Sequence, residues 1–98
     1  MGYTLMGIKS FRHKGLEEFF LTGSKRGIRP EHAVRLADMF DLLNRAVIVS
    51  DMAYPRSFLH PLKGELDGYW SVRISGNWRL VFRFKDGDAF VVTYVDYH

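Results

Sequence analysis

The chain has 98 residues, of which 47% are hydrophobic and 15% aromatic, so it has the length of one domain and enough apolar side chains to fold. Lys and Arg together number 14 against 11 acidic residues, a net charge of +3 that suits either solubility or a polyanionic partner. The absence of cysteine excludes disulfide scaffolds, thiolate zinc sites and thiol nucleophiles, and fits a reducing compartment.

Two kinds of targeting segment are missing from the sequence. No run approaches the ~18 consecutive apolar residues of a membrane span. The first residues lack the charged region and apolar core of a signal peptide. We therefore expect a cytoplasmic protein that makes no membrane contact.

Helical periodicity dominates the first half of the chain. A short alternating run at Ile8–Phe11 predicts an opening strand. Apolar residues then recur at helical spacing over 13–21, and Gly23 supplies a stop signal. Pro30 occupies the first position of a second helix, whose apolar stripe continues to Val47.

A period of two dominates after Gly68. Strand patterns cover 69–75, 78–84 and 89–95, with a turn signal between the last two. They predict an antiparallel meander with one apolar face, against which the two helices pack. The predicted fold class is therefore α+β, with two N-terminal helices on a small antiparallel sheet.

The register of the first hairpin has a chemical consequence. If Ile74 and Trp78 share the apolar face, the connecting loop has an odd length, most simply Ser75–Asn77. Arg73 then lies directly opposite Arg79 on the open face, where like charges are destabilising. A phosphate between the two guanidinium groups would relieve the repulsion; the alternative is two solvated arginines that splay apart.

Two further segments carry side chains that can take or give protons, and histidine does so near neutral pH. The chain ends on Asp96-Tyr97-His98, a set able to act in acid–base catalysis, although the last residues of a chain often fray. The segment His60–Gly64 is a rigid turn that presents an imidazole and the Lys63 ammonium; alternatively it is a plain surface loop.

Other chemistries find less support in the sequence. His60, Asp96 and His98 lack the close spacing typical of metal ligands. The glycines do not form a phosphate loop and no serine lies in a nucleophile elbow. His13 and His32 are interpreted as ordinary surface residues of the helices. We expect neither a metal nor an organic cofactor.

Taken together, the motifs are similar to those of the HigB-type toxins of the RelE superfamily, from bacterial toxin–antitoxin systems. The matching segments, in the family's order, are Ile8–Phe11, Leu59–Gly64, Gly68–Ser71, Asn77–Arg79, Gly87–Ala89 and Asp96–His98. The resemblance covers residues 7–98 as a single domain. Residues 1–6 are interpreted as an extension before the usual start, from an upstream initiation codon or added for expression.

The resemblance implies an endoribonuclease with a RelE-like fold that cuts messenger RNA on the ribosome and inhibits translation. In that chemistry the ribose 2′-hydroxyl attacks the adjacent phosphate without a metal ion. The implied partners are messenger RNA with its ribosome and a HigA-like helix-turn-helix antitoxin, and operator DNA is contacted only through the antitoxin complex. The alternatives are a non-catalytic toxin on the same scaffold, like the gyrase-inhibiting ParE proteins, or a plain nucleic-acid-binding module.

The resemblance also implies roles for individual residues. The proton-handling cluster is His60, Asp96, Tyr97 and His98. Lys63 and Arg79 are expected to bind the phosphate, and Asn77 to contact the RNA. Arg73 matches a basic position common in the wider superfamily. Within the cluster we expect an acid at His60, a base at Asp96 or His98, and an orienting or stacking role for Tyr97.

The excess positive charge lies in the helical half, where residues 1–50 carry eight basic and five acidic side chains. These basic residues are a candidate docking surface for ribosomal RNA through phosphate contacts, and the alternative is a solvated helix face. The candidates are Lys9, Arg12, Lys14, Lys25, Arg26 and Arg29.

Overall fold

The structure, a computed structural model, describes residues 7–97. The predicted extension 1–6 and the candidate catalytic residue His98 lie outside the described residues. The helices are α1 (Lys14–Thr22) and α2 (Ala33–Arg45), and the strands are β1 (His60–Pro61), β2 (Tyr69–Ser75), β3 (Trp78–Lys85) and β4 (Asp88–Asp96). The strands form one antiparallel sheet in the order β1-β2-β3-β4, which confirms the predicted α+β class.

Helix α1 begins and ends where the sequence signals lie. The Nδ1 atom of His13 accepts a hydrogen bond from the Leu16 N–H at 3.0 Å and so caps the first turn. Gly23 ends the helix at a φ of 81°, and its N–H donates to the Phe19 carbonyl at 2.9 Å. Only the glycine stop was predicted; the capping role of His13 was not.

Helix α2 is shorter than predicted at both ends. Pro30 begins a 3-10 turn that precedes the α-helix, and the helix stops at Arg45. Val47, predicted to continue the buried stripe, is 72% exposed. The prediction was wrong because the Asp51 carboxylate accepts the Val47 and Ile48 N–H groups at 2.9 and 3.3 Å, which starts a new 3-10 turn and holds the pKa of Asp51 below its usual range.

The two α-helices pack on one face of the sheet and not on the other. The core joins Leu16 of α1 and Leu36 and Leu43 of α2 to the sheet residues Leu80 and Phe82, all five fully buried. Strand alternation places the next residue of each strand on the opposite face. One face of the sheet is therefore devoted to the core, and the other is available for a site.

The predicted opening strand forms two separate bridges to β4 instead of a continuous strand. Ile8 and Phe11 pair in parallel with Ala89 and Val92. Between these bridges Val91 is bulged, with a φ of 53°, and its N–H donates to the Ser10 hydroxyl at 2.8 Å. The bulge interrupts the ladder, which explains why regular pairing stops there.

The first hairpin has the predicted register. Arg73 pairs with Arg79. The connection, however, is the two-residue turn Gly76-Asn77, because Ser75 itself pairs with Trp78. A bulge between Arg73 and Ser75 absorbs the remaining residue. The predicted three-residue loop was therefore wrong although the register that it implied was correct, since the shorter turn and the bulge compensate for each other.

Candidate active site

The sheet face away from the two α-helices, called the open face below, carries part of the predicted site. Register and alternation place these residues on it: His60, Tyr69, Ser71, Arg73, Arg79, Val81, Arg83, Thr93 and Val95. His60 belongs to this row because it pairs with Ser71, which pairs in turn with Val81. The open face is thus rich in arginine around an apolar centre.

A hollow of about 290 Å³ occupies one part of the open face. Val81 lies in its floor and is 1% exposed, and Tyr69 and Tyr97 line it on either side of the β3 strand. The remaining lining residues are Arg12, Leu66, Thr93 and Val95. An apolar floor with tyrosines and an arginine at its walls suits a flat ring with a charged group attached.

His60 lies on the short edge strand β1. Its Nδ1 is 3.2 Å from the Phe58 carbonyl oxygen. Because a carbonyl only accepts, this bond places a proton on Nδ1 and leaves Nε2 as the nitrogen that can exchange a proton with a ligand. The Leu62 N–H donates to the Tyr69 carbonyl at 2.8 Å, so the turn that leads to the exposed Lys63 is fastened to β2.

Two buried polar atoms of the open face have no hydrogen-bond partner within residues 7–97. They are the Nη1 nitrogen of Arg79 and the hydroxyl oxygen of Ser71. Buried polar atoms are nearly always paired in native proteins, by protein, water or ligand. A ligand or an ordered water at the open face is the kind of partner that each atom lacks.

The end of β4 and the β2–β3 turn are held together. The Tyr97 N–H donates to the Asn77 carbonyl at 2.8 Å, so two predicted site residues are neighbours although 20 positions separate them. Asp96 pairs with Trp78, and strand alternation therefore assigns it to the helix-side face, opposite Tyr97. The structure thus separates the two residues of the predicted cluster by face.

His60 and Tyr97 lie at opposite edges of the sheet. Three strand spacings separate β1 from β4, which is about 14 Å in a flat sheet. No hydrogen bond joins the two side chains within the part of the chain that the structure describes. The candidate site is consequently a strip across the open face, with Arg79 between its ends, and not a compact cluster.

The candidate docking residues fall into two groups. Lys9 and Arg29 form salt bridges, with Asp88 at 3.9 Å and with Glu31 at 2.7 Å. Arg12 lines the hollow, and Lys14, Lys25 and Arg26 are exposed.

The exposed members are drawn together by two glycines. A Cβ placed on Gly15 would lie 2.5 Å from the Gly27 carbonyl oxygen, so only glycine allows this close approach. It brings the start of α1, with Lys14, against the loop that carries Lys25 and Arg26.

His32 is not the surface residue that was predicted. It is 4% exposed, its Nδ1 lies 2.6 Å from the Tyr94 hydroxyl, and its ring packs edge-on against Trp78. Burial lowers the pKa of His32 and raises the pKa of Tyr94. The signal was present in the sequence, because His32 precedes Leu36 by one helical turn on the buried stripe.

Within residues 7–97, no three His, Asp or Glu side chains come close enough to hold a metal ion. The same part of the chain contains no helix with the length and apolar character needed to cross a membrane.

A helical layer on one face of an antiparallel sheet and an arginine-rich open face on the other define a small α+β domain suited to an anionic ligand. The chain belongs to the family of HigB-like toxins, described as RelE-like toxins of type II toxin–antitoxin systems, whose model matches residues 9–98. This confirms the resemblance indicated by the sequence motifs.

Individual relatives agree with the family. "Endoribonuclease HigB" of Proteus vulgaris is 40% identical over 91 residues, covering 93% of this chain and 99% of the relative. "Toxin HigB-1" of Vibrio cholerae is 33% identical over 91 residues, covering 90% and 94%. Among solved structures, the solution structure of the conserved protein HP0894 from Helicobacter pylori matches with a TM-score of 0.47 and 16% identity, covering 91% of this chain and 93% of that one.

Proposed function

We propose that this toxin is an endoribonuclease that cleaves messenger RNA on the ribosome by metal-free acid–base catalysis. Membership of the toxin family and a 40% identical relative named as an endoribonuclease support the class of reaction. The observation that carries the proposal in this chain is the buried Nη1 of Arg79, which has no partner within residues 7–97. A donor left unpaired on an open face suits an anionic ligand such as a phosphodiester.

The reaction needs three kinds of group. The ribose 2′-hydroxyl loses its proton to a base and attacks the adjacent phosphorus, and the bond to the 5′-oxygen breaks as an acid protonates that oxygen. The products are a 2′,3′-cyclic phosphate and a free 5′-hydroxyl. Positive charge must stabilise the extra negative charge on phosphorus in between.

The residues of the strip supply these groups in our proposal. His60 is the acid, acting through Nε2, and the C-terminal segment supplies the base through Asp96 or His98. Lys63 and Arg79 stabilise the phosphate, with Arg73 beside them. Asn77 contacts the RNA from the turn, and Tyr97 stacks on or orients a base at the hollow.

The strip shape favours a ligand that is long in one direction. An RNA strand that crosses β1 to β4 would meet His60 at one edge and Tyr97 at the other, with Arg79 between them. The two candidates for the base, Asp96 and His98, both belong to the C-terminal segment. Asp96→Asn and His98→Gln distinguish the two candidates.

The partners follow from the same proposal. Lys14, Lys25 and Arg26, gathered by the Gly15–Gly27 approach, dock on ribosomal RNA together with Arg12. Lys9 and Arg29 contribute less because their charges are already paired. A helix-turn-helix antitoxin resembling HigA holds the toxin inactive, and operator DNA is bound only through that complex. We place the toxin in the cytoplasm, where its messenger RNA and ribosomes are.

Primer extension on a translated message tests the proposal. We expect sharp cuts within codons for the native toxin, their loss in His60→Gln, and no effect of a chelator. Cleavage that a chelator abolishes would contradict the metal-free mechanism. Growth arrest that persists in His60→Gln and His98→Gln without any cleavage would instead favour a non-catalytic binding toxin.

A further inference from the structure

A second cavity lies at the far end of β2, away from the hollow. It has a volume of about 200 Å³ and is lined by Arg35, Arg56 and Arg73 with Ile74 and Ser75. The three arginines come from α2, from the loop before β1 and from β2. Three arginines line one small cavity, and the positive charge that they gather there suits an anion.

Within residues 7–97, no acidic side chain forms a salt bridge with this cluster; the pairs present are Lys9–Asp88 and Arg29–Glu31. Asp38 follows Arg35 by one turn of α2, and the charges of the two shift the pKa of Tyr54 in opposite directions. Within residues 7–97, however, Asp38 forms no salt bridge with Arg35. There the Arg35 Nε is also buried without a hydrogen-bond partner, although Nη2 reaches the Arg73 carbonyl at 3.5 Å.

The loop that carries Arg56 is held rigidly against β2. The Arg73 N–H donates to the Ser57 carbonyl at 2.7 Å, and Ser57 is 1% exposed. On either side of it, Arg56 and Phe58 adopt φ values of 68° and 49°, a conformation that costs non-glycine residues energy. Strain that the surroundings maintain in this way is typical of residues positioned for a ligand.

An exposed aromatic ring adjoins the cavity. The Arg73 guanidinium lies over the ring of Phe58, 5.5 Å from its centroid, and Phe58 is 56% exposed. Arginines that bind the backbone and an aromatic ring that stacks on a base are the combination by which proteins hold single-stranded nucleic acid. The cavity is smaller than the roughly 300–1,000 Å³ of pockets that enclose a whole small molecule, and its size therefore suits a single phosphate group.

We propose that the cavity of Arg35, Arg56 and Arg73 binds a phosphate of the RNA strand outside the position of cleavage, with the neighbouring base against Phe58. Arg73 connects this cavity to the strip, since it pairs directly with Arg79. An RNA strand that leaves Arg79 reaches the cavity by crossing one strand spacing, about 5 Å. The identity of the bound strand as the substrate depends on the proposed function, whereas the phosphate site itself does not.

The test is the binding of a 2′-O-methyl oligoribonucleotide, which keeps its phosphates and cannot be cleaved by 2′-hydroxyl attack. We expect Arg35→Gln and Arg56→Gln to weaken binding roughly tenfold each, the loss typical of a charged hydrogen bond. The slope of log affinity against log salt should decrease by about 0.7 for each phosphate that the variant no longer neutralises. Arg45→Gln, an exposed arginine of the same helix, is the matched control and should bind normally.

Three results would overturn the proposal. The first is native RNA affinity in both variants. The second is unchanged RNA affinity with weakened antitoxin binding, which would assign the cavity to an acidic side chain of the antitoxin. The third is binding of inorganic phosphate that is lost in the two variants while their RNA affinity stays unchanged. That result would make the cavity a site for the free ion.

A measurement on the native chain tests the same proposal even if the variants fail to fold. Bound oligonucleotide should protect Arg35 and Arg56, but not Arg45, from phenylglyoxal, and equal modification with and without RNA would also overturn the proposal. Cleavage assays separate the proposed function from the proposed phosphate site. If the toxin binds RNA through these arginines but never cuts a translated message, the proposed function is refuted and the phosphate site is still supported.

Discussion

His32 and Tyr94 connect the helical layer to the sheet through a hydrogen bond of 2.6 Å between Nδ1 and the phenolic oxygen. The Arg29 N–H donates to the same oxygen at 3.3 Å, so the Tyr94 proton is available for His32, which accepts it as a neutral ring. With Tyr94 as the donor, Nδ1 of His32 carries no proton, and protonation of the buried ring would replace this hydrogen bond. The packing of the domain therefore depends on pH.

We expect stability to fall as the pH drops below about 6.5, the ordinary pKa of histidine. Burial lowers the pKa of His32 in the folded chain. The charge of Glu31 raises this pKa and the charge of Arg29 lowers it further. Burial also lowers the pKa of His13, the cap of α1. The unfolded chain then binds more protons than the folded one. The free energy of unfolding therefore decreases as the pH falls. Urea unfolding at a series of pH values measures the effect.

Two variants localise this pH dependence. His32→Leu should flatten the curve, because the titrating ring is gone. Tyr94→Phe should lower stability by about 1 kcal/mol for the lost hydrogen bond and keep the part of the pH dependence that burial of His32 causes. A curve that remains equally steep in both His32→Leu and His13→Asn would show that the effect arises elsewhere.

Arg79→Gln should separate activity from stability. Losing a preorganised charge donor costs about 10²–10³ in rate, so cleavage of a translated message should nearly vanish. Stability should hold or rise by a few tenths of a kcal/mol, because the repulsion from Arg73 across the strands is removed. Primer extension and thermal unfolding measure the two quantities, with the exposed Lys85→Gln at the end of β3 as control. Unimpaired cleavage would remove Arg79 from the mechanism.

Substitutions of Tyr97 distinguish stacking from proton transfer. If the ring stacks on a base, Tyr97→Phe should cut nearly as well as the native toxin, and Tyr97→Ala should lose about tenfold, as expected for a lost stacking interaction. Equal loss in both variants would instead assign the function to the hydroxyl. The comparison uses cleavage of one message at limiting toxin.

Ser10→Ala should destabilise the domain by about 0.5–1.5 kcal/mol, the typical net contribution of one hydrogen bond. The Ser10 hydroxyl accepts the N–H of Val91, whose φ of 53° is unfavourable for a β-branched residue. Ser50→Ala, at an exposed position, is the control. Chemical unfolding that gives equal stabilities for the two variants would mean that water replaces the Ser10 hydroxyl without penalty.

The strands were predictable because their period and turn residues are local properties. The pairing of Arg73 with Arg79 followed from the alternation of Ile74 and Trp78 alone, even though the turn is shorter than expected. The exposure of Val47 was not predictable in this way. It depends on Asp51, whose carboxylate binds backbone groups that helix periodicity ignores.

The candidate site shows the same division. The sequence by itself determined the family, the residue types of the candidate site and the face that Arg73 and Arg79 share, because motifs and alternation are properties of consecutive residues. Tertiary structure alone decided that His60 and Tyr97 lie at opposite edges, that His32 is buried, and that Arg35 and Arg56 meet Arg73 around one cavity. Those distances depend on how α2 and the loop before β1 pack on the sheet. The spacing of residues within one element carries no information about the distance between that element and another.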